Sequence, residues 1–313
     1  MHAAAFSPRG GVSPRSARLR GQSIIEYVLI IALIGLVIVF AGPGVAGAIR
    51  NQFNQVTNTV DSGTDGGNFM SAEEKAYQEA MKTVVNKDAK DWTLDEQKAA
   101  ATDIAKNGTS SVVYAKAKAA MEAGTKFSAK LTNGKTLEYR IVGINHDDLA
   151  DGSGKAGMTF EATNAVLGTQ RMNATQTNAG GWEQSELRGR LNSGDLWSLL
   201  PSELQSKVKT VKKMTDNKGG GTAGTLSATT DKVFLLSTTE IYGDLQSDGV
   251  QYEYYKSKGV TTSSYSGASS SNYHWTRSVY PGYSTNFRYV SSSGGWNNAY
   301  ATHTSCVFPA FSF

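Results

Sequence analysis

His146-Asp147-Asp148, with Asp151 close behind in a Gly-rich stretch, gathers an imidazole and three carboxylates within a few residues. Carboxylates on a flexible loop can hold Ca²⁺. The D-x-[DN]-x-[DN]-G spacing of a calcium loop is absent, so the expectation is a solvated turn without metal. Glu183, Glu186 and Arg188 lie close together on one helical stretch and could act as acid, base and anchor in a hydrolase. The same spacing lets Trp182, Leu187 and Leu191 pack inward while the charges pair or solvate outside, and that is the preferred reading. His274 and His303 flank aromatic stretches, with Ser271, Ser278 and Ser305 nearby, but no G-x-S-x-G elbow accompanies them. No catalytic residue, cofactor or metal is therefore expected, and the chain is read as a protein that is not an enzyme.

The tail from Gly243 to Phe313 offers a different chemistry, mixing Tyr and Trp with Ser, Gly and Asn. Rigid rings supply contact area and small polar side chains supply hydrogen bonds, the composition of adaptable binding surfaces. Sugars, with apolar ring faces and polar edges, suit such a surface. Tyr265, Tyr283, Trp296 and Tyr300 are the expected ligand contacts. Trp275, Arg277 and Phe287 are expected in the core.

Glu26 is the remaining oddity. It sits near the start of an apolar run, Ile24 to Ala41, interrupted only by itself and Tyr27. As a helix those residues would reach about 27 Å, close to the roughly 30 Å of a bilayer core. An acidic side chain at the centre of such a helix costs about 3 kcal/mol on insertion scales. Arg9, Arg15, Arg18 and Arg20 precede the run with no acid among them, which keeps the N-terminus cytoplasmic and places the chain beyond Pro43 outside. Without those arginines the chain, +4 overall, is nearly neutral, so no nucleic-acid face stands out. The single Cys306 excludes an internal disulfide and a thiolate cluster, and reads as a small buried hydrophobe. A plain signal anchor and a cleaved secretory signal with Ala46-Gly47-Ala48 as its site are two readings of the run, and neither uses Glu26.

Gly21-Gln22-Ser23-Ile24-Ile25-Glu26-Tyr27 resembles the processing site of type IV prepilins, and its Glu-Tyr pair resembles the Flp (Tad, type IVb) pilins. The resemblance covers Met1 to about Val60. It implies that a membrane peptidase cuts between Gly21 and Gln22, and that Glu26 and Tyr27 serve filament assembly. The new α-amino group at Gln22 would be neutralised by Glu26 of a neighbouring subunit, two charges that are costly alone becoming a pair. Implied partners are the prepilin peptidase, the membrane and other pilin subunits through the N-terminal helix. The precursor would be membrane-bound, and the mature subunit part of an extracellular surface filament.

Val45, Ile49, Phe53, Val56 and Val60 form one more helical stripe, and residues 62–69 read as a Gly-rich linker. Ser71-x-x-Glu74 and Thr93-x-x-Glu96 are capping boxes for helices running to about Val85 and to Asn107-Gly108. A third, Ala-rich helix runs from about Ser110 to Ala123, with Gly124 as its stop. From Lys126 the period changes to β. Asn133-Gly134 marks a two-residue hairpin turn, and "MTFEATNAVL" and "TDKVFLLSTTEI" read as strands. Between them Trp182, Leu187, Leu191, Leu196, Leu200 and Leu204 form the apolar face of a helical stretch, with Pro201 starting a second helix.

The ordered segments "GGWEQSELRGRLN", "LPSELQSKVKTVKKMT", "DKVFLLSTTEIYG", "QYEYY", "YHWTRS" and "VFPAF" resemble a bacterial exported domain of unknown function, over roughly Thr125 to Phe313. That domain is similar to C-type lectins and to the formylglycine-generating enzyme fold, which implies an α+β core with loop-rich binding faces. Phe308 stands where the family usually has Arg, and Cys306 where it usually has Gly. The lone cysteine cannot supply the reactive pair of the formylglycine-generating enzymes.

The expected fold is α+β: a long N-terminal transmembrane or filament helix, a short helical stalk, then a C-type-lectin-like domain. The expected divisions are a leader 1–21, a pilin-like helix 22–61, a linker 62–69, a stalk 70–124 and the lectin-like domain 125–313. The expected function is a type IVb pilin or minor pilin displaying that domain for adhesion, with glycans or a host surface as ligand. A membrane-anchored enzyme of the formylglycine-generating type and a secreted binding protein are the alternatives.

Overall fold

The computed structural model describes residues 70–313. The expected leader, pilin-like helix and linker, with Gly21, Gln22, Glu26 and Tyr27, lie outside the described residues. Three helices come first: α1 (Ala72–Val84), α2 (Leu94–Asn107) and α3 (Tyr114–Ala123). Ser71 caps α1 by accepting from the Glu74 amide at 3.0 Å. At Thr93 the box is complete, with the Glu96 carboxylate also accepting from the Thr93 amide at 2.9 Å. Residues Gly108–Ser110 form a separate tight turn, so α3 begins later than expected, and it stops at Gly124 as the sequence indicates.

The chain continues through β1 (Lys126–Lys130), β2 (Thr136–Ile144), β3 (Met158–Ala162) and β4 (Thr169–Gln170). Short helices α4 (Glu186–Asn192), α5 (Asp195–Ser198) and α6 (Ser202–Gln205) follow, and the leucines of the expected apolar face are all buried. Then come β5 (Val211–Asp216), β6 (Leu226–Asp231), β7 (Val233–Phe234), α7 (Thr238–Tyr242) and α8 (Glu253–Ser257). The last strands are β8 (His274–Val279), β9 (Asn286–Val290), β10 (Trp296–Tyr300), β11 (Ser305–Cys306) and β12 (Ala310–Ser312).

Two five-stranded sheets result, in the orders β1-β2-β3-β12-β7 and β10-β9-β8-β11-β4, with β5 and β6 as a separate hairpin. The first sheet is antiparallel throughout. The second is mixed, since β11 runs parallel to β8. Tyr139, Phe160 and Phe311 meet edge-on or stacked in the first sheet, at 5.3–5.5 Å between ring centres. The β1–β2 turn is wider than the two residues expected: the Leu131 amide donates to the Lys135 carbonyl, enclosing Thr132, Asn133 and Gly134. The strand expected over residues 230–241 is extended only at its start. At Ser237 a capping box with Glu240 turns it into α7.

The fold is α+β, but the expected arrangement of long helix, stalk and head needs correction. Among the described residues no helix is long and apolar enough to cross a membrane. Residues 72–123 are not a stalk. Ala100, Ala101 and Ile104 of α2 and Ala117 of α3 share one hydrophobic core with Ile141, Phe160 and Phe311 of the sheet. The Tyr139 hydroxyl donates to Gln97 Oε1 at 3.0 Å across that junction. Gly157 lies so close under α2 that a Cβ there would stand 1.8 Å from the Ala101 carbonyl oxygen. An alanine-rich helix face buries little apolar area in isolation, and close approach to a sheet is how it buries enough.

Candidate functional site

The motifs of the α4 region form a clamp. Ser185 caps α4, accepting from the Arg188 amide at 3.3 Å and donating to the Trp182 carbonyl at 2.9 Å. Trp182 Nε1 and Arg188 Nε both donate to Asp231, at 3.1 and 2.6 Å. Asn192 donates to the Val233 carbonyl and accepts from the Lys232 amide. Trp182, Leu187 and Leu191 are buried, and Arg188 pairs with Asp231 of β6 rather than with a neighbour at helical spacing.

A second frame lies beside β5. Asp147 is buried and accepts from Lys213 Nζ at 2.6 Å, Tyr252 Oη at 2.8 Å and Thr159 Oγ1 at 2.5 Å. Lys213 also pairs with Glu240 at 2.6 Å, and Glu240 takes the Arg277 guanidinium in a fork. Arg277 donates further to the Leu235, Met214 and Asp248 carbonyls and to Thr215 Oγ1, at 2.8–3.2 Å. Burial disfavours each of these charges, yet their pairing outweighs it. The pKa values of Asp147 and Glu240 fall, and that of Arg277 rises. His146 stacks on Tyr252 at 4.1 Å, with Nδ1 3.1 Å from Glu253. Burial opposes its protonation, but Glu253 and Asp147 prevail and raise its pKa.

The expected solvated turn at residues 146–151 is thus corrected: Asp148 and Asp151 face solvent, while Asp147 turns inward to answer Lys213. A cleft of about 320 Å³ opens here, lined by His146, Asp148, Lys155, Lys212 and Glu253 among others. The buried charges at its floor are bonded to one another, which marks a structural hub. Among the described residues no three His, Cys, Asp or Glu side chains come together to hold a metal.

The second sheet presents different chemistry. The β9–β10 hairpin pairs Val290 with Trp296, Arg288 with Asn298, and Asn286 with Tyr300. Directly opposed residues share a face, so Trp296, Asn298 and Tyr300 line one side with Arg288 and Asn286. The Arg288 guanidinium carbon lies 4.7 Å from the centre of the Tyr280 ring and 5.0 Å from that of Trp296. Tyr280 in turn stacks on Tyr283, at 5.2 Å and 22°. The result is a run Tyr283, Tyr280, Arg288, Trp296 in which rings flank a cation. Asn286 Nδ2 donates to Asn298 Oδ1 at 2.6 Å beside it.

Tyr300 lies about 13 Å from Trp296 by strand rise. Tyr265 borders the turn end of the hairpin, where a Cβ on Gly295 would stand 3.3 Å from its ring. Gly294 holds that turn with φ of 89°, and a Cβ there would stand 2.1 Å from the Tyr265 carbonyl oxygen. The Tyr242 hydroxyl pins the same turn by donating to the Gly294 carbonyl at 2.6 Å.

All four expected contacts are exposed: Tyr265 40%, Tyr283 55%, Trp296 38% and Tyr300 53%. The structure gathers them round the β9–β10 hairpin, with Tyr283 and Trp296 joined through Tyr280 and Arg288. Trp275, Arg277 and Phe287 are buried, as the sequence indicates. Cys306 is buried too, and Phe308 stacks on His274 at 4.3 Å. Sequence reasoning missed Arg288, Asn286 and Asn298, and did not place Tyr280 among the four expected contacts. A signal was present: a hairpin drawn about Ser-Ser-Ser-Gly-Gly sets Arg288 opposite Asn298.

These features define a compact α+β domain whose sequence motifs build a buried frame and whose aromatic residues decorate one hairpin. Residues 156–313, just over half of the chain, match the family described as Domain of unknown function (DUF6273), and the chain belongs to that family. No curated protein and no solved structure matches it.

Proposed function

We propose that this protein is a surface-displayed recognition subunit that binds saccharides through the β9–β10 face. The observation that carries the binding reading is the run of exposed Tyr283, half-buried Tyr280 and exposed Trp296 around Arg288, with the paired amides of Asn286 and Asn298 beside it. Ring faces stack on the apolar faces of a pyranose, and amides and hydroxyls meet its edge. Display rests on a separate observation in the sequence, the prepilin-like stretch from Gly21 to Tyr27, which favours a type IVb pilin or minor pilin processed before Gln22.

Two measurements test the two halves. Mass spectrometry of the native protein is expected to find Gln22 at the N-terminus, and an intact Met1 would refute processing. Trp296→Ala combined with Tyr300→Ala in the full-length chain is expected to weaken binding to an immobilised saccharide panel at least tenfold. Unchanged binding by that double variant would remove the hairpin as the site.

A further inference from the structure

Arg288 is nine-tenths buried, at 6% exposure, and neither Nε nor Nη1 has a hydrogen-bond partner. A buried guanidinium without acceptors is costly, because transfer from water removes several strong hydrogen bonds. Arg277, fully buried, avoids that cost by forking onto Glu240. Arg140, half-buried, pairs through Nη2 with Glu161 at 3.0 Å and gives Nη1 to the Tyr254 hydroxyl, leaving its Nε alone without a partner. Arg288 forms no ion pair among the described residues. Asp248 is near enough to favour its charge through space, but that carboxylate already accepts from Ser278 Oγ at 2.5 Å and from the Thr239 amide at 3.3 Å. Burial accordingly pulls the Arg288 pKa below its ordinary value.

The rings of Tyr280 and Trp296 occupy the neighbourhood of its π faces, at 4.7 and 5.0 Å from the guanidinium carbon. What remains is the planar edge, where Nη2 is the nitrogen not buried from solvent and the unpartnered Nη1 lies beside it. A planar acceptor with two oxygens fits that edge in a fork, the geometry in which Arg binds carboxylate. Asn298 stands opposite Arg288 in register, and its Oδ1 is already taken by Asn286. Its NH₂ group is thereby turned to donation, a second donor beside the first. Two donors flanked by ring faces match a sugar ring that carries a carboxylate.

We propose that Arg288 is the anchor of an anion subsite, and that the saccharide recognised at this face is an acidic one bound through its carboxylate. This deepens the saccharide reading and rests on it. The cation is held ready between two rings, and the ligand supplies the acceptor that the fold omits.

The test uses the full-length chain and five polymer probes: polygalacturonate, its methyl ester, dextran, dextran sulfate and poly-aspartate. Wild type is expected to bind polygalacturonate at least tenfold more tightly than any other probe, and less tightly as salt rises. Arg288→Met is expected to abolish the preference for polygalacturonate over its methyl ester. Arg288→Lys keeps a charge near the rings but loses the fork, and is expected to lose at least tenfold. Thermal melts of both variants, expected to stay close to wild type, separate binding from folding.

Equal binding of the acid and its ester, or wild-type binding by both Arg288 variants, overturns the anion subsite. If binding of the methyl ester or dextran depends on Trp296, the saccharide reading survives that failure. Tighter binding of dextran sulfate overturns the carboxylate assignment, and tighter binding of poly-aspartate overturns the saccharide. Failure of all three saccharide probes lacking sulfate overturns both readings together.

Discussion

Arg277 and Arg288 lie on neighbouring strands, β8 and β9, and both are buried. Arg277 meets a carboxylate fork, three main-chain carbonyls and a hydroxyl. Arg288 meets two ring faces, and its buried Nε and Nη1 go unanswered. The same side chain thus does opposite work on adjacent strands. Where every N–H is answered from within, the residue locks β8 to β5 and α7, and nothing is left for an outside partner. Where none of the buried ones is answered, the fold has been built around a group whose acceptor comes from elsewhere.

Arg277→Met breaks the comparison hardest. It takes the fork from Glu240, leaving Lys213 as that carboxylate's cationic partner, and removes a donor from each of three carbonyls; loss of one partner from a buried pair typically costs about 3–5 kcal/mol. Urea unfolding of the purified chain checks it, and a loss under about 1 kcal/mol would deny Arg277 its role as a lock. Arg288→Met is expected to change stability by no more than about 1 kcal/mol, since two cation–π contacts are exchanged for relief from an unpaired buried charge and Met still packs on rings. The same unfolding series reads it, and a loss matching that of Arg277→Met would make Arg288 another framework residue.

The smallest effect sharpens the contrast through two histidines. His274, buried against Phe308, has its pKa pulled by burial down to about 4. Its neutral form is the folded one, so its contribution is present above about 6.5 and is lost as pH falls towards 4. His146 is raised instead, so its contribution is present below about 6.5 and is lost as pH rises through its elevated value. Melting temperature against pH is expected to peak near the ordinary histidine value. Glu253→Gln should flatten the alkaline limb and His274→Phe the acid limb. A profile untouched by both variants would disprove the assignment.

Much of the frame was legible because its signals are local. Ser71, Thr93 and Gly124 bound helices where cap chemistry places them, and Trp182, Leu187 and Leu191 pack inward at helical spacing. The exposed rings were legible from their small polar neighbours. What escaped was long-range. Nothing near Asp147 in sequence announces Lys213, which answers it from β5, and an isolated run of acids reads as a wet turn. The helices of residues 72–123 looked like a stalk because the partner of their alanine face, Gly157, lies far along the chain. Arg288 escaped for another reason: what distinguishes it is an unmet hydrogen-bonding need, visible only once every neighbour has been placed.

The position of β12 bears on when this domain can form. Its residues, Ala310–Ser312, pair with β3 on one side and β7 on the other, so the last described strand lies inside the first sheet rather than at its edge. β7 cannot join β1, β2 and β3 until residues 310–312 are in place, because β3 and β7 have no direct ladder to each other. Contacts so distant along the chain form slowly. Docking of β7 onto the rest of the first sheet is thereby one of the late events of folding.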